Sequence, residues 1–182
     1  AIRRHLHMYP ELSFKEEKTS RYIKNILKKW NIDFTEGYVN TGILVVLEGC
    51  SPKSKCVALR ADFDALPITE ENEISYCSKN IGVMHACGHD AHTASMLGAL
   101  KILDDTKESW NGTIKFIFQP AEEGAPKGEE GGAELMVKEG VLKNPDVDAI
   151  FGLHIAAGLD AGKITYKAGG IMAASQSYQI DV

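Results

Sequence analysis

The sequence predicts an α/β fold, with a mixed central sheet flanked by helices. Short apolar runs of strand length alternate with segments in which apolar residues recur at helical spacing. Candidate metal-binding and acidic side chains follow three of the strand segments and also lie on the loop around Cys87. In sheets of this kind, chemistry gathers where loops leave the strand ends. We therefore expect the functional residues to lie on neighbouring loops.

The first predicted elements are two helices. Residues Ala1–Met8 form a short helix that ends at Tyr9-Pro10, since proline disfavours helical backbone in the residue before it. Ser13 is expected to cap the next helix, with Glu16 three residues later as its capping-box partner. That second helix spans Glu16–Trp30. Its apolar face consists of Tyr22, Ile23, Ile26 and Leu27.

The later elements alternate between strands and helices. A helix over Asp90–Asp105 is expected to be capped by Asp90. Another, over Gly132–Glu139, ends before Gly140, the residue type preferred just after a helix. Strands are predicted over Phe34–Gly37, Gly42–Glu48, Cys56–Arg60, Thr113–Phe118, Ala149–Leu153 and Gly162–Lys167.

The composition is that of a globular protein and excludes several partners. The 182 residues, 44% of them hydrophobic, can bury a substantial core. A net charge of −5 without any basic run argues against nucleic acid. The longest apolar runs are strand-sized, which argues against a membrane span. Four cysteines without paired spacing favour a reducing, cytoplasmic compartment.

The most specific stretch is Met84–His92, which reads Met-His-Ala-Cys-Gly-His-Asp-Ala-His. Cys87 and His89 lie two residues apart, so both side chains project to one side of an extended segment. Thiolate and imidazole are favoured ligands for divalent first-row metals. A lone cysteine or histidine is more often an inert buried residue, but the pair at this spacing indicates a metal site. His85 and His92 are assigned supporting or structural roles.

Two further clusters supply carboxylates. Glu122 and Glu123 directly follow a predicted strand. Such pairs are usually solvated turns, but here one carboxylate can bind metal while the other serves a metal-activated water as general base. Asp62 and Asp64 share one face of an extended segment. They are either turn-forming residues or the acceptors that orient metal-bound histidines. His154 ends an apolar strand and is a further candidate ligand.

In this order, the motifs resemble the amidohydrolase branch of the aminoacylase/carboxypeptidase metallohydrolase family. That branch includes N-acyl-amino-acid amidohydrolases, hippurate hydrolases, N-acetyldiaminopimelate deacetylases and plant indole-acetyl-amino-acid hydrolases. Any one motif would be weak, whereas five in order are highly specific. The five segments are Arg4–Leu12, Arg60–Pro67, His85–His92, Gln119–Gly124 and Gly152–His154.

The resemblance implies a pair of divalent metal ions, which in this family are zinc, manganese, cobalt or nickel. Cys87 would bridge the two ions. His89 and His154 would complete one site, and Glu123 would serve the other.

The resemblance also implies a reaction, the hydrolysis of the amide bond in an N-acyl amino acid or a short acyl-peptide. Glu122 would be the general base of this reaction. Asp64 would be a supporting carboxylate of the catalytic centre, and Asp62 would stand where relatives with other ligand sets carry a metal-binding histidine.

The fold implied is a zinc-exopeptidase-like catalytic domain interrupted by a smaller α+β lid domain through which the protein often forms homodimers. Residues 1–170 are assigned to the catalytic domain and residues 171–182 to the start of the lid. We expect Ser175–Val182 to be a lid strand without its partner strands. The family's last metal-binding histidine and a histidine of the lid would lie beyond residue 182, so this chain alone is expected to be inactive.

Two other functions stay open on the sequence alone. One is a non-catalytic protein with a structural zinc ion at Cys87, His89, Glu123 and His154, although structural zinc sites are usually richer in cysteine. The other is a thiol hydrolase in which Cys87 is the nucleophile, which needs a histidine placed as its base.

Overall fold

A computed structural model describes residues 1–125 and 128–170 of the chain. The described part is an α/β structure built on a five-stranded mixed sheet, which confirms the predicted fold class. A single 3₁₀ turn over Lys107–Ser109 precedes β4. In chain order the elements are α1 (Ile2–Met8), α2 (Glu17–Lys29), β1 (Thr35–Tyr38), β2 (Gly42–Glu48), β3 (Cys56–Asp62), α3 (His89–Asp105), β4 (Thr113–Gln119), α4 (Gly132–Lys138) and β5 (Ala149–Gly152).

The strand order of the sheet, β1-β2-β4-β3-β5, brings three strand ends to one edge. β1 and β2 are antiparallel to their neighbours, whereas β3 runs parallel to both β4 and β5. Asp62 at the end of β3 is opposite Gln119 at the end of β4, and Arg60 is opposite Gly152 at the end of β5. Because parallel strands end at the same edge, the loops after β3, β4 and β5 leave the sheet side by side.

Apolar residues on the two faces of the sheet form two separate clusters. Alternate residues of a strand point to opposite faces, so Ile43 and Val45 of β2 face one cluster and Leu44 the other. The larger cluster is covered by α2 and α3, and the smaller one by α4. Helix side chains in the larger cluster include Ile23, Ile26, Leu27, Met96, Leu97 and Leu100.

The predicted capping box before α2 is wrong. The helix begins at Glu17, and the Glu16 side chain does not cap it. The Ser13 hydroxyl donates instead to Asp64 Oδ2 at 2.7 Å, and the Glu16 carboxylate accepts from two residues of distant segments besides Phe14. The amide of Thr19, in the first turn of α2, donates to Glu11 Oε2 at 2.8 Å. Partners brought close by the tertiary fold have replaced the local ones that the sequence pattern suggested.

Asp90 is not the cap of α3, because the helix begins one residue earlier, at His89. Gly88 precedes it with a left-handed φ of 86°, and a Cβ at Gly88 would lie 2.3 Å from Ile155 Cγ2. Only glycine combines this backbone conformation with so close an approach. Asp90 Oδ1 accepts from the Ala91 amide in the first turn at 2.9 Å. Its Oδ2 accepts from His7 Nδ1 and Arg3 Nε, at 2.8 and 2.7 Å.

The predicted strand over Gly162–Lys167 is also wrong, since this segment is irregular and exposed. A strand needs a neighbour for its backbone hydrogen bonds. None of the five described strands pairs with Gly162–Lys167. Among the described strands β5 lies at the edge of the sheet, and its Ile150 and Phe151 are more than half exposed. The helices of the described segments are all too short or too polar to span a bilayer.

The lid assignment stays a prediction. Residues 171–182, including the expected strand Ser175–Val182, lie outside the described residues. Dimerisation through a lid domain and the boundary at residue 170 are likewise untested.

Candidate metal centre

The predicted site residues lie together at the edge where the parallel strands end. Cys87 lies in the loop before α3, and His89 is the first residue of that helix. Asp64 follows β3, Glu122 and Glu123 follow β4, and His154 follows β5.

Three of the four predicted metal ligands form a compact group. One ligand atom from each of Cys87, His89 and Glu123 lies within 4.8 Å of the others, close enough for one ion to bind all three. His154 lies next to this group, with its Nε2 at 3.9 Å from Cys87 Sγ. Cys87 is thus close to all three other predicted ligands.

Asp64 orients the His89 ring. His89 Nδ1 lies 3.1 Å from Asp64 Oδ1 and 3.0 Å from the Asp64 carbonyl oxygen. Both partners are acceptors, so Nδ1 carries the hydrogen, and Nε2 of the neutral ring directs its lone pair towards Cys87 and Glu123. A carboxylate that fixes a histidine in this way is a common support for a metal ligand.

Two atoms of the group are buried without a partner. Among the described residues, His89 Nε2 and Glu123 Oε1 make no hydrogen bond. Leaving a buried polar atom unpaired costs about 1–3 kcal/mol. A divalent cation between these atoms would satisfy both, so the residues present fit a metal ion.

The charges around the group also favour a cation. Burial raises the pKa of Glu123. Burial opposes protonation of His89, but the carboxylates of Asp64, Asp62 and Glu123 outweigh it and raise the pKa of the ring. Burial, reinforced by Glu123 and Glu122, raises the pKa of the Cys87 thiol to about 12. All three pKa shifts show that further negative charge is unfavourable in this group. A bound metal ion would reverse the three shifts.

The pKa of the Asp64 carboxyl is lowered, in contrast to that of Glu123. Burial opposes its ionisation, but hydrogen bonds from His89, the amide of Glu123 and the hydroxyl of Ser13 outweigh burial and lower the pKa of the Asp64 carboxyl. The Glu123 amide donates to Asp64 Oδ2 at 2.9 Å. Asp64 thus holds both the His89 ring and the loop that carries Glu123.

The two adjacent glutamates differ in exposure. Glu122 Oε2 and Glu123 Oε1 lie 3.6 and 3.5 Å from His89 Nε2, so both carboxylates face the same group. The Glu122 side chain is 38% exposed and that of Glu123 17%. Glu122 is therefore the carboxylate that incoming molecules can reach.

The start of α4 packs directly against the loop that carries these glutamates. The Gly132 amide donates to the Ala121 carbonyl at 2.9 Å, and a Cβ at Gly132 would lie 1.8 Å from the Pro120 carbonyl oxygen. We expect Gly132→Ala to lower the free energy of unfolding by about 1–3 kcal/mol, as overpacking against rigid backbone does.

Denaturant unfolding of the full-length protein measures this effect, with Gly131→Ala as control. A Cβ at Gly131 meets nothing closer than 3.8 Å, so the control is expected to lose less stability than Gly132→Ala. Equal losses in the two variants would contradict the packing explanation.

Asp62 and His92 form a second, non-ligating pair beside the site. Asp62, His89 and His92 are close enough together to hold an ion, but both nitrogens of His92 are used. The Ile155 amide donates to His92 Nε2 at 2.9 Å, so Nδ1 carries the hydrogen and donates to Asp62 Oδ1 at 2.7 Å. His92 thereby fixes the backbone next to His154, a role that its position in the sequence did not reveal.

Two further histidines are buried near the site. His7 contacts both Asp90 and Glu70 Oε1, the latter at 3.1 Å from His7 Nε2. His85 has no partner for either ring nitrogen among the described residues. Burial lowers the pKa of His85 to about 4, so its ring is neutral near pH 7.

Known proteins share both the sequence and the fold. The profile of peptidase family M20/M25/M40 matches residues 58–182. An N-acyl-L-amino acid amidohydrolase of Geobacillus stearothermophilus is 45% identical over 182 residues, covering 100% of this chain and 47% of that protein. The N-acetyl-L-cysteine deacetylase of Bacillus subtilis (strain 168) is 41% identical over 181 residues, covering 100% of this chain and 42% of that protein.

A solved structure is likewise similar to this chain in both sequence and fold. The Bacillus subtilis YxeP protein, described as a dinuclear metal binding peptidase of the M20 family, superposes with a TM-score of 0.79 at 42% identity. The match covers 87% of this chain and 42% of that one. The chain thus spans less than half the length of the relatives that it matches. These similarities confirm the resemblance drawn from the motifs: the chain belongs to peptidase family M20/M25/M40.

Proposed function

We propose that the full-length protein hydrolyses the amide bond of N-acyl amino acids, or of short acyl-peptides, with two divalent metal ions. The observation that carries this proposal is the group of sulfur, nitrogen and oxygen ligands from Cys87, His89 and Glu123, with the free carboxylate of Glu122 beside it. Relatives over 40% identical are named as an N-acyl-L-amino acid amidohydrolase and an N-acetyl-L-cysteine deacetylase.

Cys87 is the proposed bridging ligand. Its sulfur lies 3.9 Å from His154 Nε2 and belongs to the same ligand group as His89 and Glu123, and closeness to all three suits a ligand that two ions would share. We assign His89 and His154 to one ion and Glu123 to the other. Mixed sulfur, nitrogen and oxygen ligands suit zinc, and manganese, cobalt and nickel are the alternatives.

Glu122 is the proposed general base. Bound metal ions would supply Lewis-acid polarisation of the scissile carbonyl and a lowered pKa of water. Glu122 accepts a proton from the attacking water and then passes it to the nitrogen of the leaving amino acid. Asp64 keeps His89 and the loop of Glu123 in place throughout.

The structure weighs against the two alternatives. A thiol hydrolase needs a thiolate, and although His154 lies 3.9 Å from Cys87 Sγ, the surrounding carboxylates and burial raise the pKa of Cys87 to about 12. A purely structural zinc site would leave the exposed Glu122 carboxylate without a role.

Activity of the full-length protein on N-acetyl, N-benzoyl and N-(indole-acetyl) amino acids tests the proposal. We expect a chelator to abolish hydrolysis and added zinc, manganese, cobalt or nickel to restore it. An alkylating agent should have little effect on the metal-loaded protein, in which Cys87 is coordinated. Hydrolysis that survives the chelator but is lost on alkylation would favour the thiol mechanism.

A further inference from the structure

The segment Ser13–Glu16 carries polar groups that neither cap α2 nor belong to the metal centre. Ser13 donates to Asp64 Oδ2. The Glu16 side chain is fully buried, and within the described ranges no lysine, arginine or histidine lies within ion-pair distance of it. A buried carboxylate without a cation is unfavourable unless hydrogen bonds compensate for its lost hydration.

Three donors surround the Glu16 carboxylate. The amides of Phe14 and Ala121 each donate to Oε1 at 2.9 Å. The Thr41 hydroxyl donates to Oε2 at 3.0 Å. One of the three partners, Ala121, is separated from Glu16 by 105 residues and directly precedes the two glutamates of the site.

Ala121 has a backbone conformation that needs outside support. Its φ is 49°, in the left-handed region that residues with a side chain rarely adopt. Such conformations persist only where the surroundings fix them. The Ala121 amide is held by Glu16 and its carbonyl by the Gly132 amide. The peptide groups on both sides of Ala121 are therefore fixed, and with them the direction in which the chain enters Glu122.

We propose that Glu16 is a positioning residue that fixes Ala121 and thereby aims the carboxylates of Glu122 and Glu123 at the metal centre. Ser13 supports the same loop indirectly. Its hydroxyl donates to Asp64, and Asp64 in turn accepts from the Glu123 amide. The inference rests on the proposed function of Glu122 as general base.

The test compares substitutions at Glu16 and Glu11 in the full-length protein. Glu16→Met removes the acceptor from Ala121 at similar side-chain length. Glu11→Met is the matched control, because Glu11 lies just before that segment and, among the described residues, its side chain accepts from Thr19 of α2 alone. Both variants lose side-chain hydrogen bonds, but only Glu16→Met releases the loop that carries Glu122 and Glu123. Glu16→Gln keeps an oxygen for the two amides, and its NH2 group can donate to the Thr41 hydroxyl.

We expect Glu16→Met to lower kcat by about 10²-fold, because an ångström-scale misplacement of catalytic groups has an effect of that size. KM should change less than threefold, roughly, since substrate contacts are not removed. Metal affinity, measured by competition with a chelator, should fall by about 10–100-fold. Glu11→Met should keep kcat and metal affinity near wild type at a similar loss of thermal stability, and Glu16→Gln should recover most of kcat.

The proposal is overturned if Glu16→Met and Glu11→Met lower kcat and metal affinity equally, or if Glu16→Gln is as impaired as Glu16→Met. If Glu16→Met does not fold, Glu16→Asp, which shortens the reach to Ala121 by one methylene, replaces it with the same expected pattern. Glu122→Gln is measured alongside. Wild-type turnover in Glu122→Gln refutes the proposed function, whereas an inactive Glu122→Gln beside a fully active Glu16→Met refutes only the positioning role.

Discussion

Glu122→Gln in the full-length protein is expected to lower turnover of N-acetyl amino acids by about 10²–10⁴-fold while metal content stays near wild type. Glutamine keeps the size of the side chain but cannot accept the proton of the attacking water. Metal is retained because the ligand group of Cys87, His89 and Glu123 does not include Glu122. Steady-state kinetics and elemental metal analysis on the same preparation measure the two quantities.

Glu123→Gln is the matched comparison, since it makes the same chemical change one residue away. Glu123 lies in the ligand group, and its Oε1 is one of the two atoms of that group that are buried without a partner among the described residues. This variant should lose metal along with activity. The roles are reversed if Glu122→Gln loses metal while Glu123→Gln keeps both metal and activity. A loss of turnover below tenfold in both variants would contradict the mechanism.

Asp64→Asn is expected to lower metal affinity by about 10–100-fold and the free energy of unfolding by about 1–3 kcal/mol. Asp64 accepts from His89 Nδ1 on one oxygen and from Ser13 and the Glu123 amide on the other. If the asparagine NH2 group replaced Oδ2, it would face the Glu123 N–H, and two donors would oppose each other. If it replaced Oδ1, His89 Nδ1 would have to accept, and the ring hydrogen would move to Nε2, the atom that faces the proposed metal site.

Asp148→Asn is the control for this prediction. Asp148 accepts from the Cys56 amide and from Lys55, at the opposite end of β3. Chelator competition and denaturant unfolding are measured on both variants. Asp148→Asn should change stability without changing metal affinity. If Asp64→Asn binds metal as tightly as wild type, Asp64 does not orient His89 in the way proposed.

That the site residues lie close together could be predicted from the sequence, because it follows from the direction of the strands that they follow. Asp64 and Glu122–Glu123 each follow a strand, and the parallel arrangement of β3 and β4 brings their loops together. His154 joins them because β5 is parallel to β3 as well. The Cys87–His89 spacing is a local property that needs no tertiary information. Each strand and the Cys87–His89 spacing are set by residues near one another in the chain, and the parallel pairing of the strands then brings their ends together.

What could not be predicted depends on contacts between distant segments. Ser13 and Glu16 match the local capping pattern. In the structure, however, Ser13 bonds to a residue 51 positions away and Glu16 to one 105 positions away. The bond between His92 and the Ile155 amide likewise depends on the path of the chain after β5. The predicted strand Gly162–Lys167 lacks a described neighbour with which to pair.

The most direct test of the proposed metal centre is a crystal structure of the full-length protein grown with zinc, with anomalous scattering measured at the zinc edge. We expect two anomalous peaks about 3.5–4 Å apart, both near Cys87 Sγ. His89, His154 and Glu123 should contact them at ligand distances of about 2.0–2.3 Å, and Glu122 should contact neither. A single peak, or peaks away from Cys87 and His89, would contradict the assignment of a two-metal centre to these residues.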